Sequence, residues 1–291
     1  MAKTKEQLLN ILDQFQLDEK VVSAEPFGNG HINDTSKVTN EKGEIKYVLQ
    51  RINHLIFTNV DMLQNNIHVV TTHIRKKLEE KGETDIDRKV LTFLPTKDGK
   101  SYWRVCLFIP RSKSYEEVTP ELSYEAGKAF GDFQTMLSDI PEGTLGETIP
   151  DFHNMEFRLR QFHEAVAANP AGRLEEVKDL VEEIEKRAEA MCIQERLYRE
   201  GQLKKRTNHC DTKVNNMMFD ADSDKVLCVI DLDTVMPGFV LSDIGDFIRT
   251  GANTGAEDDE NLDNVNVNME IFKAYTRGYM EKAKAFLTPT E

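Results

Sequence analysis

Apolar positions follow two rhythms along the chain, and the change between them comes near Pro110. In the first part, short alternating runs are divided by Gly, Asn and Asp turns, the pattern of strands in a sheet. Strands are expected at residues 21–27, 35–39, 45–52, 89–95 and 101–109. Two helices accompany them. Leu8, Leu9, Ile11, Leu12 and Phe15 give the first its apolar face. The second covers residues 61–81, with Ile67, Val70, Ile74 and Leu78 inward, Asp61 as its cap and Gly82 as its stop. Beyond Pro110 the spacing turns to three and four. It predicts helices at residues 120–138, 156–168, 174–201 and 269–286, and a further one opening at Asp243. One break in that rhythm is a hairpin. Met217-Met218-Phe219 and residues 226–230 are short apolar strands around a polar turn.

The implied fold class is α+β. A five-stranded antiparallel sheet with helices fills residues 1–110, and a mainly helical part carrying the hairpin fills residues 111–291. The hinge is expected near residues 107–113.

Composition narrows the partners. The 37 basic and 51 acidic residues leave a net charge of −14. A nucleic-acid or anionic-membrane surface needs a basic face, so neither partner is expected. ATP needs only a local cation or backbone N–H groups and stays open. Cys106, Cys192, Cys210 and Cys228 form no Cys-x-x-Cys pair and are read as reduced thiols of a cytoplasmic protein. The first residues make a charged amphipathic helix, not a signal peptide. No apolar run approaches the roughly 20 residues that span a bilayer.

The candidate chemistry lies at the mouth of the hairpin. Folded about its middle, the hairpin sets Asn216 opposite Asp231, so two oxygen-bearing side chains converge. Asp211 and Lys213 sit in the loop leading in. Oxygen ligands suit Mg²⁺, which usually takes one or two protein groups plus phosphate oxygens. A separate carboxylate can accept a hydroxyl proton, and a lysine can neutralise phosphate charge. Base, metal ligands and cation together are what phosphoryl transfer needs.

The run His209-x-Asp211-x-Lys213-x-x-Asn216 is similar to the catalytic loop of kinase-like enzymes. Ile230-Asp231-x-Asp233 stands where aminoglycoside phosphotransferases carry their second metal-binding Asp. Together with GNGHIN, YVLQRIN, AGKAFGDFQ, SDIGDFIRTGANT and FKAYTRGY, these runs resemble the N-acetylhexosamine 1-kinases, bacterial members of the aminoglycoside-phosphotransferase-like superfamily. The resemblance spans about residues 25–279. It implies a bilobal protein-kinase-like fold and transfer of the ATP γ-phosphate to the anomeric hydroxyl of N-acetylglucosamine or N-acetylgalactosamine; a sibling kinase for another sugar, choline or an aminoglycoside, and a non-catalytic nucleotide-binding protein, stay open beside it. It implies His209, Asp211 and Lys213 as the catalytic group, and Asn216 and Asp231 around Mg²⁺, with Asp233 as a second ligand or a support. Gly28, Asn29, Gly30 and Asn33 would cover the phosphates, although a Gly-x-Gly is also a common hairpin turn. Arg51 is the candidate cation of the third strand, with Gln50 on the opposite face. His31 would reach the sugar beside Asp211. Protein kinases pair the strand cation with a Glu on the next helix, yet residues 62–78 hold no carboxylate. The resemblance also implies more helix beyond Glu291, with part of the sugar pocket on it. His153 reads as a structural histidine, and Asp243 as a helix cap that could brace the catalytic loop.

Overall fold

The computed structural model describes residues 3–28, 32–97, 102–255 and 259–291. Helix α1 (Lys5–Leu12) begins with a capping box. Thr4 accepts the Gln7 N–H, and the Gln7 side chain accepts the Thr4 N–H. Strands β1 (Val21–Pro26), β2 (Asp34–Asn40) and β3 (Ile45–Arg51) follow, then α2 (Val60–Glu80), β4 (Phe93–Leu94) and β5 (Trp103–Leu107). The five strands form one antiparallel sheet in the order β1-β2-β3-β5-β4. Alternation decides what each face carries. Val38, Tyr47, Leu49 and Val105 pack on Leu8 and Leu12 of α1, with Trp103 at their margin. Gln50 and Arg104, paired across β3 and β5, point the other way.

Several expected boundaries move. The cap of α2 is Asn59, whose side chain accepts the Met62 N–H, and Asp61 lies inside the first turn. Only two residues of the segment 89–95 join the sheet. Just before them, residues 86–88 form a 3₁₀ turn, and Arg88 is held by the Pro110 and Arg111 carbonyls and by Asp220. That draws the segment off the sheet. A further change lies in the helical part.

That part runs β6 (Ser112–Lys113), α3 (Pro120–Leu137), α4 (Met155–Ala168), α5 (Lys178–Met191), α6 (Ile193–Arg199), β7 (Arg206–Asn208), β8 (Met217–Asp220), β9 (Val226–Val229), β10 (Met236–Gly238), α7 (Val240–Gly251) and α8 (Met269–Ala283). The helix expected over residues 174–201 is a 3₁₀ turn and two helices that divide at Cys192. Past the division Glu195 is buried, and it accepts the Met155 N–H at the start of α4. A carboxylate suits that end of a helix. The hairpin β8–β9 gains a third strand, β6, while β7 pairs with β10.

Two cores position the site. One is shared by both parts: Leu63, Ile67, Val70 and Ile74 of α2 pack with Phe133 and Leu137 of α3 and with Leu232 and Val235. The other joins α3, α7 and α8 beneath the hairpin. There α3 and α8 approach until backbone meets backbone. A Cβ on Gly127 would lie 2.2 Å from the Tyr275 carbonyl oxygen, and one on Gly278 would lie 2.1 Å from that of Tyr124. The glycines of AGKAFGDFQ and FKAYTRGY are therefore packing residues.

Candidate active site

The loop between β7 and β8 is fixed from below by one buried carboxylate. Asp243, on α7, is 1% exposed. Its Oδ2 accepts the His209 N–H at 2.9 Å and the Gln134 amide at 2.7 Å. Its Oδ1 accepts the Cys210 N–H at 2.8 Å, and its carbonyl accepts the Thr212 hydroxyl at 2.6 Å. Burial raises its pKa, opposed by His209 and by these donors. Asp246, one turn on, accepts the Thr212 N–H at 2.8 Å and pairs with Arg249 at 2.8 Å. The brace expected of Asp243 is thus built into the fold, but the cap is not: α7 opens at Val240 after Phe239, and Asp243 lies inside its first turn, its carboxylate spent on the catalytic loop.

His209 is fully buried, edge-on to Phe130 and Phe133. Its Nε2 lies 2.9 Å from the Ile230 carbonyl, and its Nδ1 lies 3.3 Å from the Asp211 nitrogen. One neutral tautomer satisfies both, donating from Nε2 and accepting at Nδ1. No atom of this imidazole is left to meet a substrate. His209 therefore differs from the expectation that grouped it with catalytic residues: its geometry is that of a positioning residue for Asp211.

Asp211 is partly exposed. The Asn216 amide nitrogen donates to its carbonyl at 2.9 Å and to Oδ2 at 3.1 Å, and Lys213 Nζ stands 4.0 Å from Oδ1. Register brings Asp231 near, with one correction. Asn216 faces Ile230, whose N–H it accepts at 2.9 Å: Phe219 pairs with Val226, and the bulge between Met218 and Phe219 carries the register only one place towards Asp231, to Met217 with Val229. Asp231 comes one residue later, in a left-handed conformation at φ 57°. Asp tolerates that region better than most residues. Its carboxyl is walled by protein yet open to solvent on one side. Burial, and after it the Asp233 charge, raise its pKa to about 6, while Arg104 pulls the other way.

Of the two roles expected of Asp233, second ligand or support, its contacts are those of a support. It is 3% exposed, and both oxygens are engaged. Oδ1 pairs with the Arg104 guanidinium, and Oδ2 accepts the Asn33 amide at 2.5 Å. Asn33, expected on the phosphates, also accepts the Asn53 N–H at 2.9 Å, so it ties the end of the Gly-rich turn to the loop after β9. Arg51 is the clearest correction. It shares a face with Tyr47 and Leu49, is nearly half exposed, and pairs with Asp34 at 3.4 Å. The cation facing Asp231 and Asp233 is Arg104, which also donates to Gln50 at 3.0 Å. A charge in the middle of the apolar run Trp103–Leu107 was the signal for it, since a buried charge needs a partner. Asn66 on α2 was also missed. Its amide bonds the Gly146 and Val235 carbonyls at 2.8 and 3.0 Å, an uncharged link from α2 to the loop after Asp233.

Gly28 has φ +81°, a conformation that favours glycine. Asn29, Gly30 and His31 lie outside the described residues. Among the described residues no three His, Cys, Asp or Glu side chains group as a metal cage. The site offers one amide oxygen, Asn216 Oδ1, and one solvent-open carboxylate, Asp231. That set fits a Mg²⁺ ion completed by phosphate oxygens and water. The thiol of Cys210 is buried, and that burial raises its pKa, a setting that disfavours the thiolate.

Residues 23–279 match the model of the phosphotransferase enzyme family. The chain belongs to that family. Solved structures carry the same fold at low identity. A spectinomycin phosphotransferase, in complex with ADP and spectinomycin, aligns with a TM-score of 0.59 at 16% identity, over 96% of this chain and 80% of that one. A macrolide 2′-phosphotransferase from Brachybacterium faecium aligns at 0.54 and 13%, over 96% and 82%. A putative fructosamine-3-kinase from Thermobifida fusca aligns at 0.52 and 12%, over 97% and 85%. Family membership makes the chain a phosphotransferase, and the solved structures give it a kinase-like fold. Among the described residues no helix is long and apolar enough to cross a membrane.

Proposed function

We propose that this phosphotransferase moves the γ-phosphate of ATP onto the anomeric hydroxyl of an N-acetylhexosamine, giving the 1-phosphate. The carrying observation is the single loop that presents Asp211, Lys213 and Asn216 together beside Asp231. The sugar rests on the sequence resemblance, and the ADP in the spectinomycin phosphotransferase complex supports the nucleotide. Catalysis of this kind is mainly positioning and charge. Asp211 orients the acceptor hydroxyl and takes its proton as the acceptor oxygen bonds to the γ-phosphorus. The bond to the β,γ-bridging oxygen breaks in line, and ADP leaves with that electron pair. Lys213 offsets charge on the transferred group. Asn216 and Asp231 would hold Mg²⁺, which would neutralise the phosphates when bound. Asp233 is a brace in this reading: with Arg104 and Asn33 it fixes the Asp231 loop against the sheet, the residues near 107–113 being the hinge. His209 and Asp243 position Asp211. A cytoplasmic setting with reduced thiols belongs to the same reading.

The test is transfer from Mg-ATP to N-acetylglucosamine and N-acetylgalactosamine, with the product located by ³¹P NMR. A 1-phosphate supports the reading. A 6-phosphate overturns the anomeric assignment, and no product with either sugar overturns the acceptor.

A further inference from the structure

Two of the sequence runs end in residues that the close approach of α3 to α8 does not call for. Gln134 closes AGKAFGDFQ on α3, and Tyr279 closes FKAYTRGY on α8. Both are buried, and they meet Asp243 beneath the catalytic loop. The Tyr279 hydroxyl donates to Gln134 Oε1. Gln134 Nε2 donates to Asp243 Oδ2 at 2.7 Å and to Asn208 Oδ1, just ahead of the loop, at 3.2 Å.

Chemistry fixes the direction of these bonds. Burial pushes the Tyr279 pKa up, so the phenol keeps its proton and donates. An amide oxygen only accepts, so Gln134 turns Oε1 to Tyr279 and its NH₂ to Asp243. Every group bonded to the Asp243 carboxylate is then a donor: Gln134 Nε2 and the backbone N–H groups of His209 and Cys210. A protonated Asp243 needs an acceptor instead. Gln134 supplies one only by turning its amide over and breaking the bond to Tyr279. The titratable and charged groups around Asp243 are His209, Cys210 and Asp211 of the loop, His153 ahead of α4, Asp246 with its partner Arg249 on α7, and Tyr275 and Tyr279 on α8. Burial raises the Asp243 pKa, while His209 and the bonded donors oppose the rise.

We infer that Gln134 and Tyr279 are positioning residues for the transfer reaction: Tyr279 orients the Gln134 amide, and that amide holds Asp243 as the carboxylate that fixes the catalytic loop. Helix α8 thereby acts on Asp211 without touching substrate. The effect of the two residues on rate rests on the transfer reading above; their effect on Asp243 does not.

Three variants of the full chain test this: Tyr279→Phe, which loses only the hydroxyl, Gln134→Met, which keeps the shape without the donors, and Gln134→Glu. Two properties are followed against pH. One is kcat and KM for transfer from Mg-ATP to N-acetylglucosamine. The other is the ¹⁵N NMR signal of the His209 and Cys210 backbone amides, without substrate. Gln134→Met should lower kcat by about ten- to a hundred-fold, the range for reacting groups held out of place, at unchanged KM for ATP. Tyr279→Phe frees the amide to turn, so Asp243 takes up its proton at higher pH. The acid limb of kcat and both amide transitions should move up together. In Gln134→Glu the introduced carboxyl shares one proton with Asp243. Activity should persist at low pH and be lost as that proton leaves, an alkaline limb that the wild type lacks. Residues that only pack would lower the melting temperature and leave the limbs where they are. Unmoved limbs and amide transitions in Tyr279→Phe and Gln134→Glu overturn the relay, and so does a wild-type kcat in Gln134→Met. If the wild type transfers nothing to N-acetylglucosamine while the amide transitions move as stated, the relay stands and the acceptor reading falls. Should the Gln134 variants fail to fold, Tyr279→Phe decides.

Discussion

At the scale of single residues, the Asp231 carboxyl carries the clearest pH signature. Its folded pKa is raised from 3.8 to about 6, so the folded chain holds this proton more tightly than the unfolded chain does. The contribution to stability is full below the unfolded value and is lost as pH rises through about 6. Asp231→Asn has no such proton to lose. Its melting temperature relative to wild type, in chelator, should therefore climb between roughly pH 4 and pH 7, and a flat difference would contradict the assignment. Arg104 gives the second test. Arg104→Met leaves Asp233 buried without its cation and should cost about 3–5 kcal/mol, while adding Asp233→Leu should restore most of that. Urea unfolding decides, and equal losses in the single and double variants would refute the pairing. The sequence told these residues apart unevenly. Asp211, Lys213 and Asn216 lie in one short loop, so spacing alone could group them. Arg104 and Asp233 lie 129 positions apart, and only the pairing of β3 with β5 shows that Arg104 rather than Arg51 faces the loop.

At the scale of elements, close packing of α3 on α8 makes a prediction whose sign discriminates. In an exposed helix interior, Gly→Ala stabilises by about 1 kcal/mol. Gly127→Ala instead drives a methyl into the Tyr275 carbonyl and should destabilise by about 3 kcal/mol, the upper range for overpacking. Thermal unfolding checks this, and a stabilised variant would contradict the crossing. Strands β1 to β3 and most helices were legible because each buries one periodic face. What was not legible depended on distant partners. Arg88 binds Asp220 and leaves β4 two residues long. Glu195 binds the start of α4 across the division at Cys192. The hairpin bulge moves Asn216 by one place relative to Asp231, a detail that strand length and turn composition do not encode.

At the scale of the whole molecule, one apolar core joins α2 to α3 and to Leu232 and Val235, and the Arg104–Asp233 and Asn66–Val235 contacts cross the same boundary. Such coupling makes the two parts one cooperative unit. Calorimetry should show a single transition with agreeing calorimetric and van't Hoff enthalpies, whereas two resolved transitions would contradict a shared core. The same coupling ties the sheet, the Gly-rich turn and the metal loop to a catalytic loop braced from α7, so the reacting groups are held before substrate arrives. The measurement closest to the central claim is single-turnover transfer from Mg-ATP to N-acetylglucosamine by wild type and by Asp211→Asn, with ADP affinity as control. The account predicts transfer slower by about a thousand-fold in the variant, within the range for loss of a general base, at unchanged ADP affinity. Transfer at the wild-type rate by Asp211→Asn would contradict it.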